Sequence, residues 1–399
     1  MREASNVERF SRGEAISVEV DRIERELAAL WQAAGRAEVA PATSADGDAT
    51  PVRPSTVLSR ASLWNIVVPA HGSESLGRTK KLVDDLTPSI PARVIVLNQA
   101  AGDGEQSLRA TIESNVVSRP SGARTVYSEE ITLTGTGGAE EHFGALVRSL
   151  LIPSLPTATF WIDSTVAETL LTRELLPVSE RLVVDTGQCT RVRDLGEVYR
   201  LTTLHQVVVA DLGWLRLASF RTLFAGLFDP PIGGGPLAAA HRVIIRHRRD
   251  SVPSALLLSA WLGSQLAWEA LGADPEESGG LHLRFRRSGI ERATAADDVS
   301  LDLVPSDGEC GTSGIVGLDL LADSPVHGDE ERYGINRTGG NHAELAIPIA
   351  PPRSIKLDSR SDAELCVAAL GPAGRDPLLR RCLAYAARLS DLVDGPGRG

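Results

Sequence analysis

Four short runs decide the fold: LWNIVV (Leu63 to Val68), ARVIVL (Ala92 to Leu97), ATFWID (Ala158 to Asp163) and RLVVD (Arg181 to Asp185). Each is β-branched and almost continuously apolar, the pattern of strands buried on both faces. Helical stretches alternate with them at Ser75 to Leu86, Glu140 to Leu151 and Val166 to Leu176, and Tyr127 to Leu133 reads as a further strand. Repeated strand, helix, strand units need right-handed crossovers, which predicts an α/β domain over 56–200 with a largely parallel sheet and flanking helices.

Upstream of these runs, Ser11 and Glu14 have capping-box spacing. Ile16, Val20, Ile23, Leu27, Leu30, Trp31 and Ala34 then recur at mostly helical steps, with Gly35 as a stop. An amphipathic helix is predicted over 11–35, with Glu19, Asp21, Arg22, Arg25 and Glu26 on its solvated face. Residues 36–55 are rich in Ala, Thr, Asp and Gly and contain Pro41, Pro51 and Pro54, so they read as a flexible linker. Such a tether leaves the helix able to dock on its own chain or on another subunit.

Downstream, 201–395 reads as an α+β domain. Asp211 is a natural N-cap for a helix whose apolar face includes Leu212, Leu215, Phe220, Phe224 and Phe228 and which ends at Pro230 and Pro231. A strand at Arg242 to Arg246 and a helix at Ser254 to Leu271 follow. Short strands at Leu281 to Phe285, Val299 to Val304, Ile315 to Leu320 and Glu344 to Ile349 predict an antiparallel meander. Two closing helices are expected at Asp362 to Leu370 and Leu378 to Leu392.

With 41 basic against 52 acidic residues, the formal charge is −11, which disfavours sequence-independent binding to nucleic acid or to an anionic membrane. The opening MREASNVERF has no apolar core of a secretory signal, and Val252 to Trp268 is too short and too interrupted for a membrane span. A cytoplasmic protein is the expectation. Four cysteines without a close pair fit neither a disulfide scaffold nor a zinc ribbon.

Chemical signatures are missing in the sequence. Gly135, Thr136, Gly137 and Gly138 precede a helix as a dinucleotide turn would, yet Glu140 stands where that fingerprint needs glycine, and its charge would repel a pyrophosphate. The eight histidines form no recognised metal-binding spacing. His241 and His247 flank a strand whose Arg242, Arg246, Arg248 and Arg249 suggest a basic edge. No nucleophile elbow and no activated thiol can be read. Asp163 and Asp185 end strands where an α/β enzyme could place carboxylates, although strand-end aspartates are also ordinary caps. No catalytic residue, cofactor or metal site is therefore assigned, and a binding role gains weight.

Cys366 lies five residues before Gly371 and Cys382 five after Pro377. In an antiparallel hairpin the two thiols would stand at equal height, roughly 7–8 Å above the turn. A redox pair needs Cα atoms within about 7 Å, closer than typical helix axes, so the alternative is two ordinary buried thiols.

The landmarks taken together resemble the glucose-6-phosphate dehydrogenase assembly protein family, OpcA. They are Arg60, Ala61 and Asn65 to Val68; Pro88 and Ser89 before Arg93 to Leu97; Leu155 and Pro156 leading to Phe160 and Trp161; Ala267 and Trp268; and Asp376 and Pro377. Most specific is the helix carrying Asp211, Leu212, Trp214, Arg216, Leu217, Arg221, Phe228, Asp229 and Pro231. The resemblance implies a non-catalytic activator that binds glucose-6-phosphate dehydrogenase and promotes its active oligomer, supporting NADPH production in the oxidative pentose phosphate pathway. Trp214, Arg216 and Arg221 are then the candidate partner contacts, since exposed aromatic and arginine side chains form hot spots. The competing reading packs Trp214 in the core. The rival function is an α/β sugar-phosphate or nucleotide enzyme using Asp163 or Asp185.

Overall fold

The computed structural model describes residues 9–12, 16–37, 62–102, 105–118, 126–287, 298–324, 328–348, 350–371 and 376–394. The chain divides into two compact units, one of residues 1–163 with 168–182 and the other of residues 164–167 with 183–399. The division falls earlier than the expected boundary at 200.

The first unit runs β1 (Arg9–Arg12), β2 (Ile16–Val18), α1 (Ile23–Ala37), β3 (Trp64–His71), α2 (Gly72–Leu86), β4 (Ala92–Gln99), β5 (Ser107–Ser118), β6 (Val126–Thr136), α3 (Phe143–Leu150), β7 (Thr157–Trp161) and α4 (Leu170–Leu175), with β8 (Arg181–Val184) at its end. Strand order is β1-β5-β6-β4-β3-β7-β8, with β2 also on β5. The β6, β4, β3 and β7 strands are parallel, whereas β5 runs antiparallel to β6 and carries β1 and β2. The α/β expectation holds. Ile66, Val67, Val94, Ile95, Val96 and Phe160 are almost fully buried, as their continuous apolar runs require.

The N-terminal helix needs correction. It starts at Ile23, because Ile16, Ser17 and Val18 pair in register with Ile112, Thr111 and Ala110 of β5. The alternating Ile-Ser-Val triplet fits a pleated edge, and a partner distant in sequence overrides the helical spacing. Ser11 falls in β1, while residues 13–15, including Glu14, lie outside the described residues. The helix continues past Gly35 to Ala37, and the remainder of the expected linker, 38–55, also lies outside them. Ile23 and Leu27 enter the core formed by Ile95, Leu97, Ile112, Ile131 and Phe143, so α1 docks on its own chain. Arg93 fixes it there, donating to Glu24 at 2.6 Å, to Glu129 at 2.7 Å and to the Leu150 carbonyl at 2.7 Å.

The second unit contains α5 (Arg193–His205), β9 (Val208–Asp211), α6 (Leu212–Arg216), α7 (Ala218–Gly226), α8 (Gly235–Ala239), β10 (Ala240–His247), α9 (Val252–Gln265), β11 (Trp268–Pro275), β12 (Leu281–Arg287), β13 (Asp298–Pro305), β14 (Ile315–Asp323), β15 (Glu330–Gly339), β16 (His342–Ile347), β17 (Ala350–Lys356), α10 (Asp362–Ala369) and α11 (Pro377–Asp394). Its sheet has the order β11-β12-β13-β10-β14-β15-β16-β17 and is antiparallel except for β10 beside β13. The α9 helix is buried continuously from Pro253 to Gly263, packed between strands and α11. A Cβ on Gly263 would stand 2.7 Å from the Tyr385 ring, so glycine permits that close helix approach.

The expected helix to Leu271 stops earlier. Ala267 adopts φ 52°, and Trp268 begins β11, pairing with Arg287. The expected hairpin of the last two helices is also absent: α10 packs on α6, whereas α11 packs along α5, α9 and β11.

Candidate functional site

The single helix expected after Asp211 is two, α6 and α7, which meet at Leu217, and α6 starts beside a tight polar junction. Asp211 caps α6 by accepting from the Gly213 N–H at 3.0 Å, and it also accepts from the Thr186 N–H at 2.9 Å and hydroxyl at 2.7 Å. Burial raises its carboxyl to about 6 despite these bonds. Gly213 is required by contact: a Cβ there would lie 2.4 Å from the Thr186 hydroxyl and 2.8 Å from the Gly187 nitrogen. Asp185, at the end of β8, accepts from the Gly187 N–H at 3.0 Å. Arg216, one helical turn along α6, donates to Asp185 at 2.5 Å and to Asp362 at the start of α10 at 2.7 Å. Burial weakens the Arg216 guanidinium's hold on its proton, but these two carboxylates more than restore it.

Trp214 faces the other way. The Arg221 guanidinium carbon lies 3.1 Å from the centre of its ring, and Arg221 donates to the Trp214 carbonyl at 3.2 Å. The Trp214 indole donates to Asp376 at 3.3 Å. Asp376 in turn caps α11, accepting from the Leu378 N–H at 2.9 Å and the Leu379 N–H at 3.2 Å. Burial lowers Arg221 to about 10.

Trp214 takes the core placement that competed with an exposed contact, and the two arginines are largely covered with it. Trp214 is 3% exposed and the Arg216 side chain 6%, while Arg221 is half-buried against the indole. Trp214 and Arg216 brace the second unit internally, because Asp185, Asp362 and Asp376 converge on them, whereas the Arg221 Nε and Nη1 are buried without a hydrogen-bond partner among the described residues. Cys366 and Cys382 are both buried and unpaired by a disulfide. Their helices do not form the hairpin that would align them. Burial pushes the Cys366 thiol up to about 12 and raises Cys382, whose sulfur lies 3.5 Å from the Ser264 hydroxyl.

The strand-end carboxylates are engaged as well. Asp163 accepts two hydrogen bonds from Arg78, at 2.7 and 3.0 Å. Burial pushes its carboxyl up, but Arg78 and Ser75 hold it below the usual range. The basic edge dissolves likewise. The β10 strand is central, His247 is buried, Arg242 pairs with Asp302 at 2.7 Å, Arg246 pairs with Asp319, and Arg248 pairs with Asp250. One grouping was not legible in the sequence. Glu276, His282 and Asp302 bring ligand atoms within 4.8 Å of one another and could hold a metal, although His282 at 2.6 Å and Arg242 already occupy Asp302.

Two family models match the chain: the glucose-6-phosphate dehydrogenase subunit N-terminal domain over residues 83–200 and its C-terminal domain over residues 207–383. The chain belongs to the OpcA family. Relatives carrying the name OxPP cycle protein OpcA include that of Nostoc punctiforme, 29% identical over 199 residues, which are 49% of this chain and 42% of that one. The Synechocystis relative is 30% identical over 189 residues, 47% of this chain and 39% of that one. The chain thus matches about two-fifths of the length of these relatives. The solved dehydrogenase GnnA from Acidithiobacillus ferrooxidans aligns over 84% of this chain and 98% of that one, but at 11% identity and a TM-score of 0.43 the likeness carries no argument.

Within this OpcA family member, landmarks far apart in sequence meet in space. The Asp211–Arg221 segment is tied by Trp214 to Asp376, and by Arg216 to Asp185 and Asp362. Thr186 and Asp362 were not singled out from the sequence, where a lone hydroxyl and an exposed helix-start aspartate carry no signal. Among the described residues, no helix is long and apolar enough to cross a membrane.

Proposed function

We propose that this chain is a non-catalytic assembly factor that binds glucose-6-phosphate dehydrogenase and favours its active oligomer, supporting NADPH production in the oxidative pentose phosphate pathway. The observation that carries the reading is the match of dehydrogenase-subunit domain families to both halves of the chain. The engagement of Asp163 by Arg78 and of Asp185 by Arg216 supports it, because neither carboxylate is left in position to serve as a general base.

Activation then follows from linkage: the factor binds the active state more tightly than the inactive one. Moving an enzyme from 1:99 to 99:1 requires about 5.5 kcal/mol of differential binding, within reach of one interface of about 1,600 Å². With Trp214 and Arg216 buried, they act by holding the shape of the second unit, and the contact surface is built from other side chains. Native mass measurement and steady-state assays of the cognate dehydrogenase with and without this chain test the proposal. A complex of defined stoichiometry and a higher turnover or lower KM are expected. A dehydrogenase that neither co-migrates with the chain nor changes its kinetics would overturn the reading.

A further inference from the structure

The first unit contains a cavity of about 260 Å³ at the carboxyl ends of β3, β4 and β7. In the strand order β6-β4-β3-β7, the chain winds outward in one direction from β3 and resumes on its other side at β7. The gap between such strands is where open α/β sheets hold ligands. The volume lies near the lower end of the range for small-ligand pockets. Its inner wall is apolar, built from Leu97, Phe143, Trp161 and Leu171. Its polar rim includes His71, Gln99, Glu140, Glu141 and Glu174, and contains neither lysine nor arginine.

Glu140 defines the chemistry. One carboxylate oxygen accepts from the Gln99 amide at 3.1 Å, while the other is shielded from solvent and has no hydrogen-bond partner among the described residues. A shielded acceptor without a donor is costly, and a bound donor would relieve that cost. Glu140 also lines the wider mouth beside Gly137 and Gly138, where a phosphate-binding turn would present backbone N–H groups. A carboxylate in that position repels phosphate and attracts hydroxyl donors.

We propose that this cavity binds an uncharged ribonucleoside, with the vicinal diol of its sugar donating to Glu140 and its planar base against the Leu97, Phe143, Trp161 and Leu171 wall. The apolar wall selects the nucleoside over a free sugar, which presents no planar apolar face. This site is independent of the dehydrogenase-binding reading, because its test requires the full chain alone.

Calorimetric titration of the full chain with adenosine, 2′-deoxyadenosine, adenosine 5′-monophosphate and methyl β-ribofuranoside tests the assignment. Adenosine is expected to bind saturably. The deoxynucleoside should bind on the order of tenfold more weakly, as loss of a charge-assisted hydrogen bond implies. The monophosphate should also be weaker, and the riboside should not saturate. Glu140→Gln, a change at a half-exposed position, should weaken adenosine and reduce the discrimination against the monophosphate. Leu171→Trp, which fills the cavity, should abolish binding while a retained melting transition reports an intact fold. Three results would each overturn the proposal: no saturation by adenosine, riboside binding equal to adenosine binding, or adenosine binding unchanged by Glu140→Gln.

Discussion

Arg216 and Asp185 form an ion pair at 2.5 Å whose side chains are 6% and 4% exposed. One residue had the composition of a protein-interaction hot spot and the other the position of a catalytic carboxylate. Their pairing gives both a structural task, and the second guanidinium nitrogen extends it to Asp362. The pair therefore joins the turn that follows β8 to α6 and α10, all within the second unit.

Removing the guanidinium strands a buried carboxylate. Arg216→Met should destabilise the folded chain by about 3 kcal/mol, since breaking one side of a buried pair costs far more than losing an exposed one. Urea unfolding measures this directly. A change below about 1 kcal/mol would contradict the bracing role.

Asp211 gives the fold a pH dependence of unusual sign for a carboxylate. Its folded value of about 6 lies above its ordinary value of 3.8, so its contribution is fully present only at pH below 3.8 and is lost as pH rises through 6. Asp211→Asn keeps the acceptor for the Gly213 and Thr186 N–H groups but cannot ionise. The variant should gain on the parent between about pH 4 and pH 7, by on the order of 2–3 kcal/mol. Parallel stability curves for the two proteins would show that the buried carboxyl is not penalised.

The thiols should be chemically quiet. With Cys366 pushed up to about 12 and Cys382 also raised, thiolate is scarce near neutral pH, and both sulfurs are buried. Alkylation mapped by mass spectrometry should leave both unmodified in the native chain and modify both in denaturant. A peptide cross-linked through Cys366 and Cys382 after mild oxidation would instead establish a redox pair.

The N-terminal helix is held by a pair that is buried on one side only. Glu24 is 56% exposed, whereas the Arg93 side chain to which it is bonded is 3% exposed. Glu24→Gln should cost about 1 kcal/mol of stability and speed proteolysis within residues 19–30, the loss staying this small because Ile23 and Leu27 remain in the core. Proteolysis at the parental rate would indicate that apolar packing alone secures α1.

The sequence by itself determined the alternating α/β core, the existence of the apolar α9 helix and the Asp211 cap. Continuous β-branched runs and local capping chemistry encode those features within a few residues of where they act. Tertiary structure decided the rest. Ile16 to Val18 became a strand only because β5 offered a partner about a hundred residues away. The roles of Arg216, Trp214 and Arg93 depended on Asp362, Asp376 and Glu24, groups remote in sequence whose arrival made these side chains internal ties. Periodicity reports burial along one element, whereas the partner of a long charged side chain is fixed only when separate elements pack.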